Sequence, residues 1–473
     1  MRDKKLILDR IPRRFNEGMF WGNGCMGGLL YVKGNEVCIA VDHMMLWENR
    51  DSAEDAPKGT FQDFIDKPEL FFGGSYFQNE VRGVQYYRTR LPGLSLSLVL
   101  KDEIVGFYGE LHYQTASSEV TFTLRDGSRV DCRIYLDSNV NLLRVETDGE
   151  LAAVNASGWD TTRGNLSVLD DWGYPKYEKR LAGGVAHVLQ PYSANGMAVL
   201  SVLPSGKGVY ATLQACVDDA DNAAERADRL MEENRTLLVR YQEKEAEFRK
   251  AHQKSWEEYW SRSDVTMPNE RLQQAYDAEM YKIYSNERTN VLPVTLQGIW
   301  NNDARMPAWC GDLHNDMNVQ ACYWPVYKHN HTELGAAYID YYTSIMPRLS
   351  ERAYKLFGIR DAIHCPIMMA PGGYGAGGEW CFWNCLLGPE LFVAADFIWY
   401  YEFSRDEKRL ASSIFPFLEK VIHLYQGIAY QGEDGFLHIP FTNSPEVFRD
   451  GSMLIRDDAT VVISTLHYVL ERV

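Results

Sequence analysis

Two periodicities divide the chain. Up to about residue 220, short apolar or alternating runs recur: GGLLYVKGNEVCIAV, LSLSLVLK, EVTFTLRDGSRVDCRIYL, NLLRVET, GVAHVLQ, MAVLSVL and GVYATLQACV. Gly, Asn and Asp punctuate them, which predicts antiparallel strands joined by turns rather than βαβ units. The clearest case is EVTFTLRDGSRVDCRIYL, where two alternating strands flank the hairpin pair Asp126-Gly127. Residues 221–262 change texture: they contain no Gly or Pro, and Leu230, Leu237, Tyr241, Phe248, His252, Trp256 and Tyr259 recur at helical spacing. That spacing predicts one long amphipathic helix with a solvated charged face. From about 270 onward helices dominate, in NERLQQAYDAEMYKIYSNER, TELGAAYIDYYTSIMPRLSERAYKLF, PELFVAADFIWYYEFS and DEKRLASSIFPFLEKVIHLYQGIAY. The expected architecture is a multidomain α and β protein. An N-terminal antiparallel β-sandwich spans 1–220, a helical linker 221–269, and a toroid of paired helices 270–473, with its site at one end.

Bulk properties narrow the function. A chain of 473 residues exceeds one ordinary domain. Twelve Trp and 28 Tyr either fill a large core or offer flat faces to a ring-shaped ligand. The net charge of −17 argues against nucleic acid and against an anionic membrane. No apolar run is long enough to span a bilayer. The opening MRDKKLILDRIPRRF lacks an apolar signal region and a cleavage site, and the nine scattered Cys contain no CxxC pair. The expectation is therefore a cytoplasmic protein with reduced thiols.

Three loops between the predicted helices carry the chemistry. TLQGIWNNDARMPAWCGDLHNDMN and the start of the next segment hold Gln297, Trp300, Trp309, His314, Asp316, Asn318 and Trp324; HCPIMMAPGGYGAGGEWCFWN holds Trp380 and Trp383; GFLHIPFTNSPEVF holds Glu446. Long loaded loops in a compact domain usually mean function, and a site needs convergent polar groups with a platform. A carboxyl group in an aromatic, partly dry pocket stays protonated near neutral pH, so Glu446 is the candidate proton donor. Alternatively, Glu446 is an N-cap or first-turn residue of a following helix. Asp312, His314, Asp316, Asn318 and Gln320 fall at every second position of GDLHNDMNVQACYWP. In an extended segment Asp316 and Asn318 share one face with His314, where carboxylate and amide together can hold and deprotonate a water. The competing picture is a loop capped by Asx hydrogen bonds. His314 and Asp316 fit no spaced metal motif, and no GxSxG elbow, Walker A loop or dinucleotide fingerprint occurs; no cofactor and no metal are expected.

Four of these stretches together resemble glycoside hydrolase family 95, inverting α-L-fucosidases and related α-L-galactosidases. They are FWGNGCMGGLLYVKGNEVCIAVDHMMLWENR, LQGIWNNDARMPAWCGDLHNDMNVQACYWP, SRDEKRLASSIFPFLEKV and FTNSPEVF, in family order. The resemblance implies an N-terminal β-sandwich, a helical linker and an (α/α)6 barrel with its active site at the mouth. It also implies inverting exo-hydrolysis of a terminal α-L-fucosyl or α-L-galactosyl residue of an oligosaccharide or glycan. By position, Glu446 matches the general acid and Asn318 the second Asn of a water-holding pair. Asp316 stands where the first Asn usually stands. His314 falls near the sugar's C5 substituent, and the Trp residues and Gln297 would line the substrate. The family's catalytic Asp lies past the SPE segment, beyond Val473. About half of a twelve-helix toroid fits in 270–473, so a fragment or split protein, self-association or a missing C-terminal half is expected. A glycoside phosphorylase and a non-catalytic carbohydrate-binding remnant are the alternatives.

Overall fold

Strand patterning is realised first. The computed structural model describes residues 3–50, 58–71, 86–217, 222–288, 292–449 and 452–473; the side chains of 445, 446, 448, 449 and 452–454 lie outside that description. The chain divides into two units that do not follow chain order. The first comprises Met1–Glu48, Leu91–Val291 and Gln297–Pro307, the second Asn49–Arg90, Leu292–Leu296 and Ala308–Val473.

The first unit stacks two antiparallel sheets. Nine strands run in the order Lys5–Leu8, Ile104–His112, Ser117–Leu124, Arg129–Leu136, Leu143–Thr147, Gly208–Val217, Gly196–Ser205, Val185–Tyr192 and Glu178–Ala182; five run Leu151–Ser157, Leu94–Leu100, Glu36–His43, Met26–Lys33 and Phe20–Gly22. The Asp126-Gly127 hairpin forms as predicted, with Gly127 at φ +84° and Ser128 donating its amide to Asp126 Oδ1 at 2.8 Å. Alternation sets the core: in Ser117–Leu124 the positions Val120, Phe122 and Leu124 are buried between partly exposed neighbours. The Trp21 indole donates to Ser118 Oγ at 3.0 Å, tying the five-stranded sheet to the nine-stranded one.

The expected single helix over 221–262 is two helices, α1 (Ala223–Glu243) and α2 (Glu245–Ser261). Lys244 leaves helical geometry at φ −119°, ψ 27°, and its amide is shared between the Arg240 and Tyr241 carbonyls. The break lets Tyr241 and Phe248 stack at 4.4 Å while Leu238 and Tyr241 pack on Tyr135, Val185 and Tyr210 of the large sheet. The segment read as a linker is thus built onto the sheet, because its apolar stripe finds its cover there. α3 (Glu270–Asn286) completes the unit, and its Tyr281 stacks on Tyr113 and Trp256.

The second unit is helical. It contains the short helix Phe61–Asp66 and the longer α4 (Asn318–Lys328), α5 (Thr332–Phe357), α6 (Pro389–Ser404), α7 (Phe415–Ile428) and α8 (Thr460–Leu470). α6 packs against α4, α5, α7 and α8, which explains why its sequence is apolar on nearly every face. Among the described residues no helix is long and apolar enough to cross a membrane.

Candidate active site

The stretch that carries the candidate residues begins with a backbone that L-residues avoid. Trp309, Cys310 and Gly311 take consecutive left-handed conformations at φ +55°, +58° and +57°. For Trp and Cys this costs about 1–2 kcal/mol each. Two pins hold the turn: Thr89 Oγ1 donates to the Cys310 carbonyl at 3.1 Å, and the Leu296 amide to the Asp312 carbonyl at 2.9 Å. Leu313–His314 then forms a short strand against Met368–Ala370. Asn315 is fully buried: it donates its side-chain amide to the Pro366 carbonyl at 3.0 Å and accepts from the Tyr342 hydroxyl at 2.5 Å. Met317 turns the chain at φ +97°, and α4 starts at Asn318.

The every-second-position wall therefore runs only from Asp312 to Asp316. Asn318 is an exposed residue in the first turn of α4, and Gln320 is buried inside that helix, donating to the Tyr338 hydroxyl at 3.3 Å. The period changes from two to helical at Met317, so Asp316 and Asn318 face the same region from opposite sides of a turn, not from one strand face.

Asp312, His314 and Asp316 form a contiguous cluster. His314 Nδ1 lies 3.1 and 3.2 Å from the two Asp312 oxygens, and its Nε2 lies 3.2 Å from Asp316 Oδ1. Asp312 is fully buried, and burial pushes its carboxyl up to about 6, against the opposing effect of His314. Trp309, 38% exposed, meets the His314 ring edge-to-face at 5.8 Å.

Asp316 also lines a small pocket with Ile367, Pro389, Phe392, Asn443 and Val462. Asp316 stands two residues before α4, Gly388 caps α6, and Val462 lies in the first turn of α8. Three helix N-termini thus meet there, each carrying partial positive charge that favours an anionic or electron-rich group. Asn443 comes from the strand Thr442–Arg449, which also carries Glu446. That strand pairs with Ser452–Arg456, but Asn443 faces Ile455 while Phe448 faces Met453, so five residues on one side match two on the other. Glu446 sits in this bulge, a device that re-aims side chains beside functional sites. It belongs to a strand, not to the first turn of a helix; its side chain lies outside the described set.

The base of the ribbon is tied down by hydrogen bonds. Thr442 Oγ1 donates to the Arg456 carbonyl at 2.7 Å, the Phe441 amide to Asp457 Oδ1 at 3.0 Å, and the Ile439 amide to Asp458 Oδ1 at 2.8 Å. His438 lies between Asp434 and Asp458, and these two carboxylates push its imidazole up to about 9.

A second buried network frames the Gly-rich loop. Glu379 Oε1 accepts from Arg352 at 2.7 Å and from Arg348 at 2.9 Å, and Arg88 lies 3.7 Å from its other oxygen. Arg352 also donates to the Asn384 carbonyl and, at 3.2 Å, to His364 Nδ1. Burial and the Arg352 charge push His364 down to about 3, so it stays neutral. Trp380 is buried with its ring 4.4 Å from the Arg352 guanidinium, and it braces this network; Trp383 is half-buried. Trp324 is half-buried near Trp399, at 5.8 Å, and hydrogen-bonds the buried Asp396. Gln297 and Trp300 fall in the first unit, where Trp300 donates its indole N–H to the Trp21 carbonyl at 2.8 Å and packs on Phe20. The structure thus brings together Trp309, His314, Asp316 and the Glu446 strand. It adds two residues that sequence reasoning did not name as site residues, Asp312 and Asn443. Asp312 was already visible as the first member of the alternation; nothing in the local sequence marks Asn443.

A model of the glycosyl hydrolase family 95 catalytic domain matches residues 228–471. The chain belongs to this family. Within family 95 the resemblance extends to named relatives. The chain is 26% identical over 175 residues to "Probable alpha-fucosidase A" of Aspergillus niger, covering 36% of the chain and 22% of that protein. It is 27% identical over 170 residues to "Alpha-L-fucosidase 2" of Arabidopsis thaliana, covering 35% and 20%. The chain thus spans about a fifth of the length of these relatives. A solved structure, "Putative kojibiose phosphorylase from human microbiome", shares the fold with a TM-score of 0.63 at 13% identity, over 96% of this chain and 61% of that one. Among the described residues no cluster of three or more His, Cys, Asp or Glu is arranged to hold a metal ion.

Proposed function

We propose that this family 95 chain acts as an inverting exo-glycosidase on terminal α-L-fucosyl, or closely related α-L-galactosyl, residues of oligosaccharides. The carrying observation is that Asp316 and Asn443, from two distant segments, share one pocket where three helix N-termini meet. Glu446, three residues along from Asn443, is the acid that protonates the leaving oxygen. Asp316 and Asn318 hold the water that attacks the opposite face of the anomeric carbon, with Asp316 taking its proton. His314, Trp309, Trp324, Trp380, Trp383, Gln297 and Trp300 are the proposed substrate-side residues. The helical unit is taken as part of an (α/α)6 barrel and the first unit as its β-sandwich. The names of the fucosidase relatives support the sugar. The free thiols support a reducing, cytoplasmic setting.

In an inverting enzyme the acid and the water-activating carboxylate stand ~6.5–9.5 Å apart to admit a water. Anomer-resolved NMR of the first product from a nitrophenyl α-L-fucoside should show the β-anomer; retention of configuration would sink the mechanism. Glu446→Gln should lower turnover about 10²–10⁴-fold, and least on substrates whose leaving group needs no protonation. A phosphorylase would need to bring phosphate beside Asp312 and Asp316, against their negative charge. Turnover independent of added phosphate is expected.

A further inference from the structure

Resting on the glycosidase reading of this pocket, we propose that His314 is held as an imidazolium between two carboxylates, and that Asp312 is a positioning residue which keeps Asp316 ionised and aimed at the attacking water. The inference comes from counting protons. A neutral imidazole has one N–H and one lone pair. Carboxylate oxygens stand 3.1 Å from Nδ1 and 3.2 Å from Nε2. Whichever tautomer is drawn, one carboxylate faces a lone pair unless the ring carries a second proton. Two carboxylates around one imidazolium turn both contacts into charge-assisted hydrogen bonds.

Burial makes the same demand. Asp312 is fully enclosed, and an enclosed carboxylate needs a cation or a proton of its own. The His314 ring in contact with it can supply that charge. The neighbouring elements offer no competing ion. Cys310, on the preceding turn, has its thiol pushed far up by burial and by Asp312, so it stays neutral. The paired strand Met368–Ala370 carries only Met and Ala, and Trp309 covers the ring without charge.

The consequence concerns Asp316. With Oδ1 held by His314, its carboxylate is fixed in orientation at the pocket. The imidazolium keeps it ionised after the Asn-to-Asp exchange that separates this chain from the family pattern. His314 then acts on the reaction through Asp316 rather than by reading the sugar.

Nitrogen NMR of ¹⁵N-histidine-labelled chain, without sugar, tests this directly, with His314 assigned by its loss in His314→Gln. Both His314 nitrogens should be protonated at neutral pH, and in Asp312→Asn one of them should lose its proton. A neutral His314 ring in the unaltered chain overturns the proposal, whether or not Asp312→Asn folds. In turnover, Asp312→Asn should lower kcat at least tenfold with KM changed less than about twofold. The acidic limb of the pH profile should move up by about one unit, as Asp316 loses its cationic neighbour. An unchanged pH profile with only lower thermal stability also overturns it, reducing Asp312 to a structural role. The NMR result does not depend on turnover. If the unaltered chain hydrolyses no fucoside, or Glu446→Gln has no effect, the glycosidase reading fails while the His314 result stands or falls by itself.

Discussion

Asp316 is the residue on which the chemistry turns, and one substitution asks what it does. An amide can orient water but cannot take its proton; a carboxylate does both. Asp316→Asn should therefore cost about 10²–10⁴ in kcat while leaving KM within a few-fold. Loss of the acidic limb of the pH profile would mark Asp316 as the base. A variant that keeps most of its rate would leave only the water-holding role. The candidates Asp316, His314 and Trp309 were legible because such residue types rarely crowd into a loop without a job. Trp380 was misleading for an equally physical reason. Its ring lies buried against Arg352, and composition cannot distinguish a ring that faces a ligand from one that faces a guanidinium.

Elements followed the periodicity closely where one face dominates. α5 and α6 run over the spans that the apolar spacing marks, and the Asp126-Gly127 hairpin forms with its turn in the expected place. The failures sit at breaks. Lys244 interrupts α1 and α2 with no Pro or Gly, since tertiary contacts of Tyr241 and Phe248 bend the helix there. The wall from Asp312 ends when Met317 adopts φ +97°, a conformation no local propensity favours for Met. The Gly-rich loop depends on an element-level device, the Glu379 carboxylate with its arginines. Glu379→Ala leaves Arg352 buried without its counter-charge and should cost about 3–5 kcal/mol, read as a lower urea midpoint. A smaller loss would show that Arg88, Arg348 and Arg352 find other partners.

At the scale of the whole molecule, stability should carry a signature of the ribbon that presents Glu446. The folded state raises His438 to about 9 from an ordinary 6.5. Its stabilising contribution is thus complete below pH 6.5 and is lost as pH rises through about 9. Urea midpoints of the unaltered chain and of His438→Gln should differ most below pH 6.5 and converge above about 9. A gap that does not change with pH would remove the charge from the explanation. By itself, the sequence determined which segments become strands and helices, the turn at Asp126-Gly127 and the identity of the loops that carry chemistry, because patterning and turn chemistry act over a few residues. Membership of family 95 was also readable from its long central signature. Only the tertiary structure decided that α1 and α2 pack on the large sheet, that the chain interleaves its two units, and that Asp316 meets Asn443 at three helix N-termini. Those facts depend on contacts between residues more than a hundred positions apart, and on where buried charges find their partners. No local pattern encodes either.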